Sequence, residues 1–400
     1  MDITYGSAEI THRPRRRSDE APPRLVRRLT SLAVAALAAS NAVAAPAPTK
    51  ADATVVAATD TDGDSLPDAW ETNGYDANGD GVVDVDLPAM GANPNKKDLF
   101  VEMDYMSGRL ASTAALDRIV QVFATAPVSN PDGSTGITIH LDAGAARGAK
   151  YDLGGGNEVA YDDDLNPSAT QTNVIKAANF AAARKAVFHY MLWGDSYDGG
   201  CSSGQAFNIP NDTFIVTVGQ RCNWNATDDT NVGTFVHELG HNLGLQHGGA
   251  DGLNYKPNYL SVMNYSFQLG GVLKADGTKY WGYSNVQPTS INEARPDETV
   301  GLGSLGAGYR TSWKCPDGKT RTTTGAANQP IDWNCDGDTN DTTTAADING
   351  DKTTSVLIAQ NNWANIVFGG GAVGGGTEPR AKTPASELKE LTHDEALALR

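Results

Sequence analysis

Three of the seven histidines lie within residues 237–247, and their spacing constrains the local fold more than any other feature of the chain. His237 and His241 are four residues apart, so on an α-helix they project side by side and both imidazoles can reach one metal ion. Gly244 can adopt a positive φ and end the helix, which turns His247 back towards the same ion. The apolar residues of this stretch form one stripe on the other side of the helix: Val232, Phe235, Val236, Leu239 and Leu243. The sequence therefore predicts a helix over residues 231–243 that carries a three-histidine metal site.

The residue types at this predicted site suit catalysis. Three neutral imidazoles bind Zn²⁺ well and leave a fourth position open, which is typical of catalytic zinc rather than structural zinc. Glu238 directly follows the first histidine and would lie beside a water molecule activated by the ion, where it could act as a general base. The same carboxylate could then pass the proton to the leaving nitrogen of a peptide bond. An HExxH match alone is often accidental, but Gly244 and His247 at the expected offsets favour a zinc site.

The stretch from His237 to His247 resembles the HExxHxxGxxH signature of the metzincin zinc endopeptidases and matches it at every defined position. This resemblance implies a Met-turn after the third histidine, and Met263 stands in the sequence Ser-Val-Met-Asn-Tyr downstream of it. It also implies that Tyr265 approaches the metal and stabilises the tetrahedral intermediate, as in astacin- and serralysin-type members; a packed aromatic side chain is the alternative. Finally, it implies protein or peptide substrates that pair with an edge strand, for which residues 207–218 are the candidate region.

Outside the motif, helix and strand signals alternate along the chain. The predicted strands are residues 98–105, 136–141, 213–218 and 354–359; the predicted helices are residues 112–126 and 173–193; and a hairpin is predicted at Asp276-Gly277. This pattern indicates a mixed α/β, or α+β, catalytic domain over residues 97–368. The metzincin resemblance implies a twisted, mostly parallel sheet, an active-site helix and an irregular C-terminal subdomain. His140 falls in a predicted strand and His189 in a predicted helix, and both are expected to be packing or surface residues.

Two acidic loops precede the catalytic domain, in residues 45–96. The first has carboxylates at the spacing of calcium ligands: Asp60, Asp62, Asp64, Asp68 and Glu71. The second carries Asp76, Asn78, Asp80 and Asp84 and lacks a closing glutamate. These loops resemble thrombospondin type 3 or dockerin-like aspartate repeats. Hard carboxylate oxygens on short loops favour Ca²⁺ over softer metals. The sequence predicts a calcium-stabilised segment, with solvated Asp-Gly turns as the alternative. A further acidic cluster at residues 332–351 offers no full ligand set.

The N-terminus and the cysteines indicate export. Residues 1–44 carry seven arginines before a short apolar run at residues 29–39, and Ala42-Val43-Ala44 fits a signal-peptidase site. A basic tail followed by an Ala-rich helix is the alternative. An oxidising destination agrees with an even number of cysteines. These four cysteines permit three pairings, of which the two local ones, Cys201 with Cys222 and Cys315 with Cys335, are favoured because each would close an irregular loop.

Charge and hydropathy exclude several classes of protein. A formal charge of −17 repels phosphate backbones and argues against a nucleic-acid binder. No stretch approaches the roughly 20 apolar residues of a membrane-spanning helix, so we expect no transmembrane segment in the mature chain. The last part of the chain, residues 369–400, is predicted as a Gly-rich linker over 369–376 and a charged helix over 385–399. We expect a monomeric peptidase; a calcium-dependent surface or adhesion protein without proteolytic activity is the alternative.

Overall fold

The computed structural model describes residues 58–369 and 389–399, together with the backbone of residues 383–384. The predicted signal peptide and all but the first residue of the predicted Gly-rich linker lie outside the described residues. Within the described ranges, no helix is long and apolar enough to cross a membrane.

Short elements dominate the described part of the chain. Its α-helices are α1 Asp68–Asn73, α2 Leu87–Met90, α3 Thr113–Ala124, α4 Ser168–Asn179, α5 Asp228–Asn242, α6 Tyr265–Gln268 and α7 His393–Ala398. Its 3₁₀ turns are Gly144–Arg147, Ala149–Tyr151, Ala182–Ala186 and Ser304–Gly306. Its first seven strands are β1 Asp98–Met106, β2 Thr138–Asp142, β3 Glu158–Val159, β4 Phe188–Trp193, β5 Gly204–Ala206, β6 Asn208–Ile209 and β7 Thr213–Val216. The later strands are β8 Val272–Leu273, β9 Lys279–Tyr280, β10 Ile291–Asn292, β11 Ser312–Lys314, β12 Thr320–Thr322, β13 Val356–Leu357 and β14 Thr383–Pro384.

The central sheet has the strand order β2-β1-β4-β7-β5, with β3 also paired to β1. Every pairing in it is parallel except that of β5, which runs antiparallel to β7 at the edge. Helix α3 links β1 to β2, and the region containing α4 precedes β4, as parallel strands require crossover connections. The mixed α/β fold with a mostly parallel sheet is therefore confirmed.

Both faces of the sheet are covered, which explains why the central strands β4 and β7 are buried along their whole length. On one face, Val101 and Met103 of β1 pack in a core with residues of α3 and α5. On the other face, Phe100 of β1 packs with Leu66 and Leu87 from the acidic N-terminal segment. The active-site helix therefore lies against one side of the sheet, and the predicted calcium loops lie against the other.

The helix predicted over residues 173–193 is wrong in its second half. Helix α4 ends at Asn179, a 3₁₀ turn follows, and residues 188–193 form the central strand β4. All six residues of β4 are buried. A short apolar run that is buried on both faces has no alternation, so hydrophobic periodicity alone does not separate it from a buried helix.

The residues after α5 build a second, irregular core around Trp313 and Trp333. The predicted hairpin at Asp276-Gly277 joins β8 to β9, and the predicted strand near residue 356 pairs with β10. Both favoured disulfides are present: Cys201 pairs with Cys222, and Cys315 pairs with Cys335. The expectation of an irregular C-terminal subdomain tied by a disulfide is confirmed.

Candidate active site

Helix α5 carries the predicted metal motif and is fixed at both ends. At its start, the side chain of Thr227 accepts a hydrogen bond from the backbone N–H of Thr230. At its end, the N–H of Leu243 still bonds to the carbonyl of Leu239, whereas the N–H of Gly244 bonds to that of His241, and Gly244 adopts a φ of +90°. This left-handed conformation is the one predicted from the motif, and it reverses the chain so that His247 returns to the helix.

Three imidazole nitrogens converge at the end of α5. Nε2 of His241 lies 3.2 Å from Nε2 of His237 and 3.2 Å from Nε2 of His247. All three side chains are buried, and burial lowers the pKa of His241 to about 3, so its imidazole is neutral. Ligands held about 2.0–2.1 Å from a tetrahedral zinc ion would lie about 3.3 Å apart. The spacing of the histidines therefore fits a zinc ion.

The second ring nitrogens of His237 and His241 are held by backbone carbonyls. Nδ1 of His237 lies 2.8 Å from the carbonyl oxygen of Val262, and Nδ1 of His241 lies 2.8 Å from that of Leu245. A carbonyl oxygen only accepts, so each Nδ1 carries the proton and donates it. Because the imidazole of His241 is neutral, its Nε2 is then a lone pair directed at the other two histidines. A ring held by a carbonyl through one nitrogen, with the other nitrogen directed into the cluster, is the arrangement that a bound metal ion requires.

Met263, which the resemblance assigns to the Met-turn, lies against the histidine helix α5. Its side chain is buried. The preceding residue, Val262, supplies the carbonyl oxygen that lies 2.8 Å from Nδ1 of His237. The sulfur of Met263 lies over Gly240 of α5, where an added Cβ would approach it to 2.3 Å. The turn and the helix can approach this closely because Gly240 has no side chain, a requirement that the sequence motif did not reveal.

Glu238 is buried beside the histidines, against Gly204 of the edge strand β5. Neither of its carboxylate oxygens has a hydrogen-bond partner. Burial raises the pKa of Glu238 well above its usual range, and the charge of Glu390 raises it further. A carboxyl group with a raised pKa and no partner is suited to accept and release a proton.

Tyr265 directs its hydroxyl group at the same cluster. Its Oη lies 3.2 Å from Nε2 of His247, and its ring lies 4.7 Å from the ring of His247. Burial, followed by the charges of Glu390 and Glu238, raises the pKa of Tyr265 well above its usual value, so the group remains a hydrogen-bond donor. Of the predicted site residues near the histidines, the structure thus brings together Glu238, Met263 and Tyr265.

A carboxylate that the sequence analysis missed also belongs to this cluster. Oε2 of Glu390 lies 3.3 Å from Nε2 of both His237 and His247, and Oε1 lies 3.5 Å from Nε2 of His241. A charged helix was predicted over residues 385–399, but the observed helix α7 begins at His393, after Glu390. Glu390 lies 143 residues after His247, and no motif spacing connects the two residues.

The edge strand was predicted only in part. The strand that forms the edge next to α5 is β5, residues 204–206, whereas β7 within the candidate region 207–218 is paired on both sides. The Gly-Gln-Ala sequence of β5 has too little apolar alternation to predict a strand. The edge strand therefore lies just before the predicted region, and the residues on both sides of it pair with the C-terminal segment: Ser203 with Leu391, and β6 with β14.

His140 and His189 stand apart from the metal cluster. His140 stacks on Phe100 and pairs with Asp98 at 2.6 Å, and His189 is buried in β4, where burial lowers its pKa to about 4. Both are packing residues in strands.

The first acidic loop forms a second cluster of candidate ligands on the other side of the sheet. Oxygens of Asp60, Asp62 and Asp64 lie within 4.8 Å of one another, as do oxygens of Asp64, Glu71 and Asp98. Both oxygens of Glu71 and one oxygen of Asp62 are buried without a hydrogen-bond partner. Burial, together with the neighbouring carboxylates, raises the pKa of Glu71 to about 9. A cation would relieve this repulsion.

Two details of this acidic cluster differ from the expectation. Asp98, the first residue of β1, was not predicted as a candidate ligand, because only the fold brings it to the loop. Asp68, which was predicted as one, instead accepts hydrogen bonds from the backbone and side chain of Thr61.

The second acidic loop is built differently. Asp76 accepts hydrogen bonds from the backbone of Gly79, Asp80 and Gly81, and Asn78 accepts one from Asp80. Asp84 accepts one from Ala77. Among the described residues, the acids of this loop do not form a cluster of three potential metal ligands. The loop has the local shape of a turn held by its own side chains.

Comparison with known proteins agrees with the site. Residues 136–248 match a family model described as metallo-peptidase family M12B, reprolysin-like. The match begins just before β2 and includes β4, β7 and the whole of the histidine motif. No curated protein matches the chain. The family match and the histidine cluster confirm the prediction of a metzincin-type protein, and the activity that they support is that of a zinc metalloendopeptidase.

The turn at Gly244 provides a test of the site. In the Gly244→Ala variant, the left-handed backbone costs about 1–2 kcal/mol, and the new Cβ would lie 3.1 Å from Val367. We expect a lower melting temperature and, because His247 shifts, zinc binding weaker by about tenfold or more, measured by competition with a chromogenic chelator. The control is Gly325→Ala, because a Cβ at Gly325 meets nothing within 4 Å. Equal zinc affinity in the two variants would contradict the role of this turn.

Proposed function

We propose that the protein is a secreted zinc endopeptidase in which His237, His241 and His247 bind the metal ion and Glu238 is the general base. The observation that carries this proposal is the convergence of three histidine Nε2 atoms next to a buried carboxylate without a hydrogen-bond partner. A calcium-binding adhesion protein would have no use for such a carboxylate beside a metal site. The substrates are proteins or peptides, as expected of this family.

In the proposed mechanism, zinc supplies Lewis acidity that polarises the scissile carbonyl group and activates a water molecule. Glu238 accepts the proton of the attacking water and transfers it to the leaving amide nitrogen, so one carboxylate serves both steps. Tyr265 donates a hydrogen bond to the oxygen of the substrate carbonyl as negative charge develops there. The edge strand β5 pairs with the substrate backbone and holds the scissile bond beside the histidines.

We further propose that the first acidic loop binds structural calcium. The support is the buried group formed by Asp62, Asp64, Glu71 and Asp98, which includes three carboxylate oxygens without hydrogen-bond partners. Asp60 stands at the exposed side of this group. Because Asp98 begins β1 and Leu66 packs on the sheet, an ion bound here would fasten the loop to the catalytic domain.

Secretion is supported by the two disulfides and by the composition of residues 1–44. Expression of the full chain in an exporting host should yield extracellular protein whose first residue is Ala45, determined by N-terminal sequencing. Retention of the protein inside the cell with Met1 present would contradict this proposal.

The assignment of the base is tested with Glu238→Gln, which keeps the shape of the side chain. We expect one zinc ion per chain by elemental analysis, with kcat/KM for an unfolded protein substrate reduced about 10²–10⁴-fold. Glu158→Gln, at an exposed glutamate, is the matched control. Because Glu390 lies against the histidines, both variants are also made in a Glu390→Ala background. Undiminished cleavage by Glu238→Gln would remove Glu238 from the mechanism.

The calcium site is tested by thermal unfolding. Saturating Ca²⁺ should raise the melting temperature, since a ligand at 100 times its Kd stabilises the folded state by about 2.7 kcal/mol. The Glu71→Gln variant should lose most of this increase, because it removes a buried carboxylate that has no other partner. The exposed Glu158→Gln variant should keep it. Equal calcium responses in the two variants would argue against the site.

A further inference from the structure

The segment that contains α7 lies over the proposed catalytic centre. Glu390 is 2% exposed, and its Oε2 is 3.3 Å from Nε2 of His237 and from Nε2 of His247. These separations match both the 3.2 Å between the histidine nitrogens and the distance of about 3.3 Å expected between neighbouring ligands of a tetrahedral zinc ion. Glu390 therefore stands where a fourth ligand belongs, the position that a catalytic zinc site leaves open.

The residue before Glu390 engages the proposed oxyanion donor. The hydroxyl group of Tyr265 donates a hydrogen bond to the backbone carbonyl of Lys389 and lies 3.3 Å from Oε2 of Glu390. A substrate carbonyl would need the same donor during peptide hydrolysis. The Lys389 carbonyl thus occupies the place of a substrate carbonyl, while the Glu390 side chain occupies the place of the attacking water.

The backbone of the segment pairs with the sheet edge as a substrate would. The N–H of Ser203 donates to the carbonyl of Leu391 at 2.9 Å, and the N–H of His393 donates to the carbonyl of Cys201 at 2.9 Å. Just beyond β5 in the chain, β6 pairs antiparallel with β14 in a separate two-stranded sheet, with Thr383 opposite Ile209. Extended peptides commonly bind by adding a strand to an exposed edge in this way.

Two further contacts make this docking specific. Leu391 is fully buried in the core that also contains the apolar face of α5. Helix α7 starts with a capping box formed by Thr392 and Glu395, and it packs His393 against Trp224. The segment therefore has its own anchors and does not depend on Glu390 alone.

We propose that Glu390 is a fourth protein ligand of the zinc ion and that residues 389–399 are a built-in inhibitor that keeps the full-length chain latent. This inference rests on the proposed peptidase function. With the segment docked, the attacking water and the substrate strand have no place, and Glu238 has no water from which to accept a proton. Activation then requires that the segment leave the cleft.

The test uses the full-length chain loaded with Co²⁺ in place of zinc, because the visible spectrum of Co²⁺ reports the number and type of its ligands. Glu390→Ala should change the visible bands. The Kd of this variant for acetohydroxamate, a small chelator that binds the metal at the position vacated by Glu390, should fall at least about tenfold. Glu390→Gln, which preserves the shape of the side chain, should change the spectrum in the same direction. Asp394→Asn is the matched control, since that side chain in the same segment is fully exposed.

The outcomes separate this inference from the proposed function. Spectra and probe affinities of Glu390→Ala and Glu390→Gln that equal those of the wild type would overturn the ligand role of Glu390. The inhibitor role is supported if cleavage of an unfolded protein by the zinc form rises at least about tenfold in Glu390→Ala, and it is overturned if cleavage is unchanged. If the spectrum changes but neither the wild type nor Glu390→Ala cleaves any peptide, the ligand role of Glu390 is kept and the proposed peptidase function is overturned.

Discussion

The convergence of three imidazole Nε2 atoms on one point is the interaction around which the site is organised. Two of the nitrogen-to-nitrogen distances are 3.2 Å, which suits neighbouring ligands of one metal ion. The carbonyls of Val262 and Leu245 lie 2.8 Å from Nδ1 of His237 and of His241 and orient these two rings. The helix, the turn at Gly244 and the segment around Met263 all serve to keep these three rings in place.

The sheet determines what surrounds the metal cluster. Helix α5 packs on the face of the sheet formed by β1, β4 and β7, and its active end therefore lies beside the antiparallel edge strand β5. This single arrangement places Glu238 against the edge and makes the edge available to an extended peptide. The opposite face is covered by the acidic segment, so a cation in that segment would support the sheet without entering the active site.

The same edge has two competing occupants, the substrate and the segment around Glu390. A carboxylate is a good zinc ligand, and a peptide strand is a good partner for an unpaired edge. The segment combines both properties in consecutive residues. The backbone carbonyl of Lys389 accepts a hydrogen bond from Tyr265, and the carboxylate of Glu390 contacts the histidines. An intramolecular segment also has a high effective concentration at the site, which favours it over a free substrate.

Local chemistry explains most of what could be predicted from the sequence. The histidine helix, the reversal at Gly244, both disulfides and the strand β1 follow from spacing, periodicity and turn residues within short stretches, whereas the Met-turn was expected only from the resemblance to metzincins. The predicted helix over residues 173–193 failed where β4 is buried on both faces, because burial on both sides removes the alternation that distinguishes a strand. The edge strand β5 was missed because three residues carry no pattern.

The sequence by itself determined the chemistry of this protein: which ligands could bind zinc, which carboxylate could act as a base and which loop could bind a hard cation. Only the tertiary structure decided which residues from distant parts of the chain contact those groups. Asp98 joins the first acidic loop because the loop packs on β1, and Glu390 joins the histidines from 143 residues away because its segment pairs with the sheet edge. Contacts of this kind depend on the relative positions of packed elements, and no local spacing in the chain encodes them.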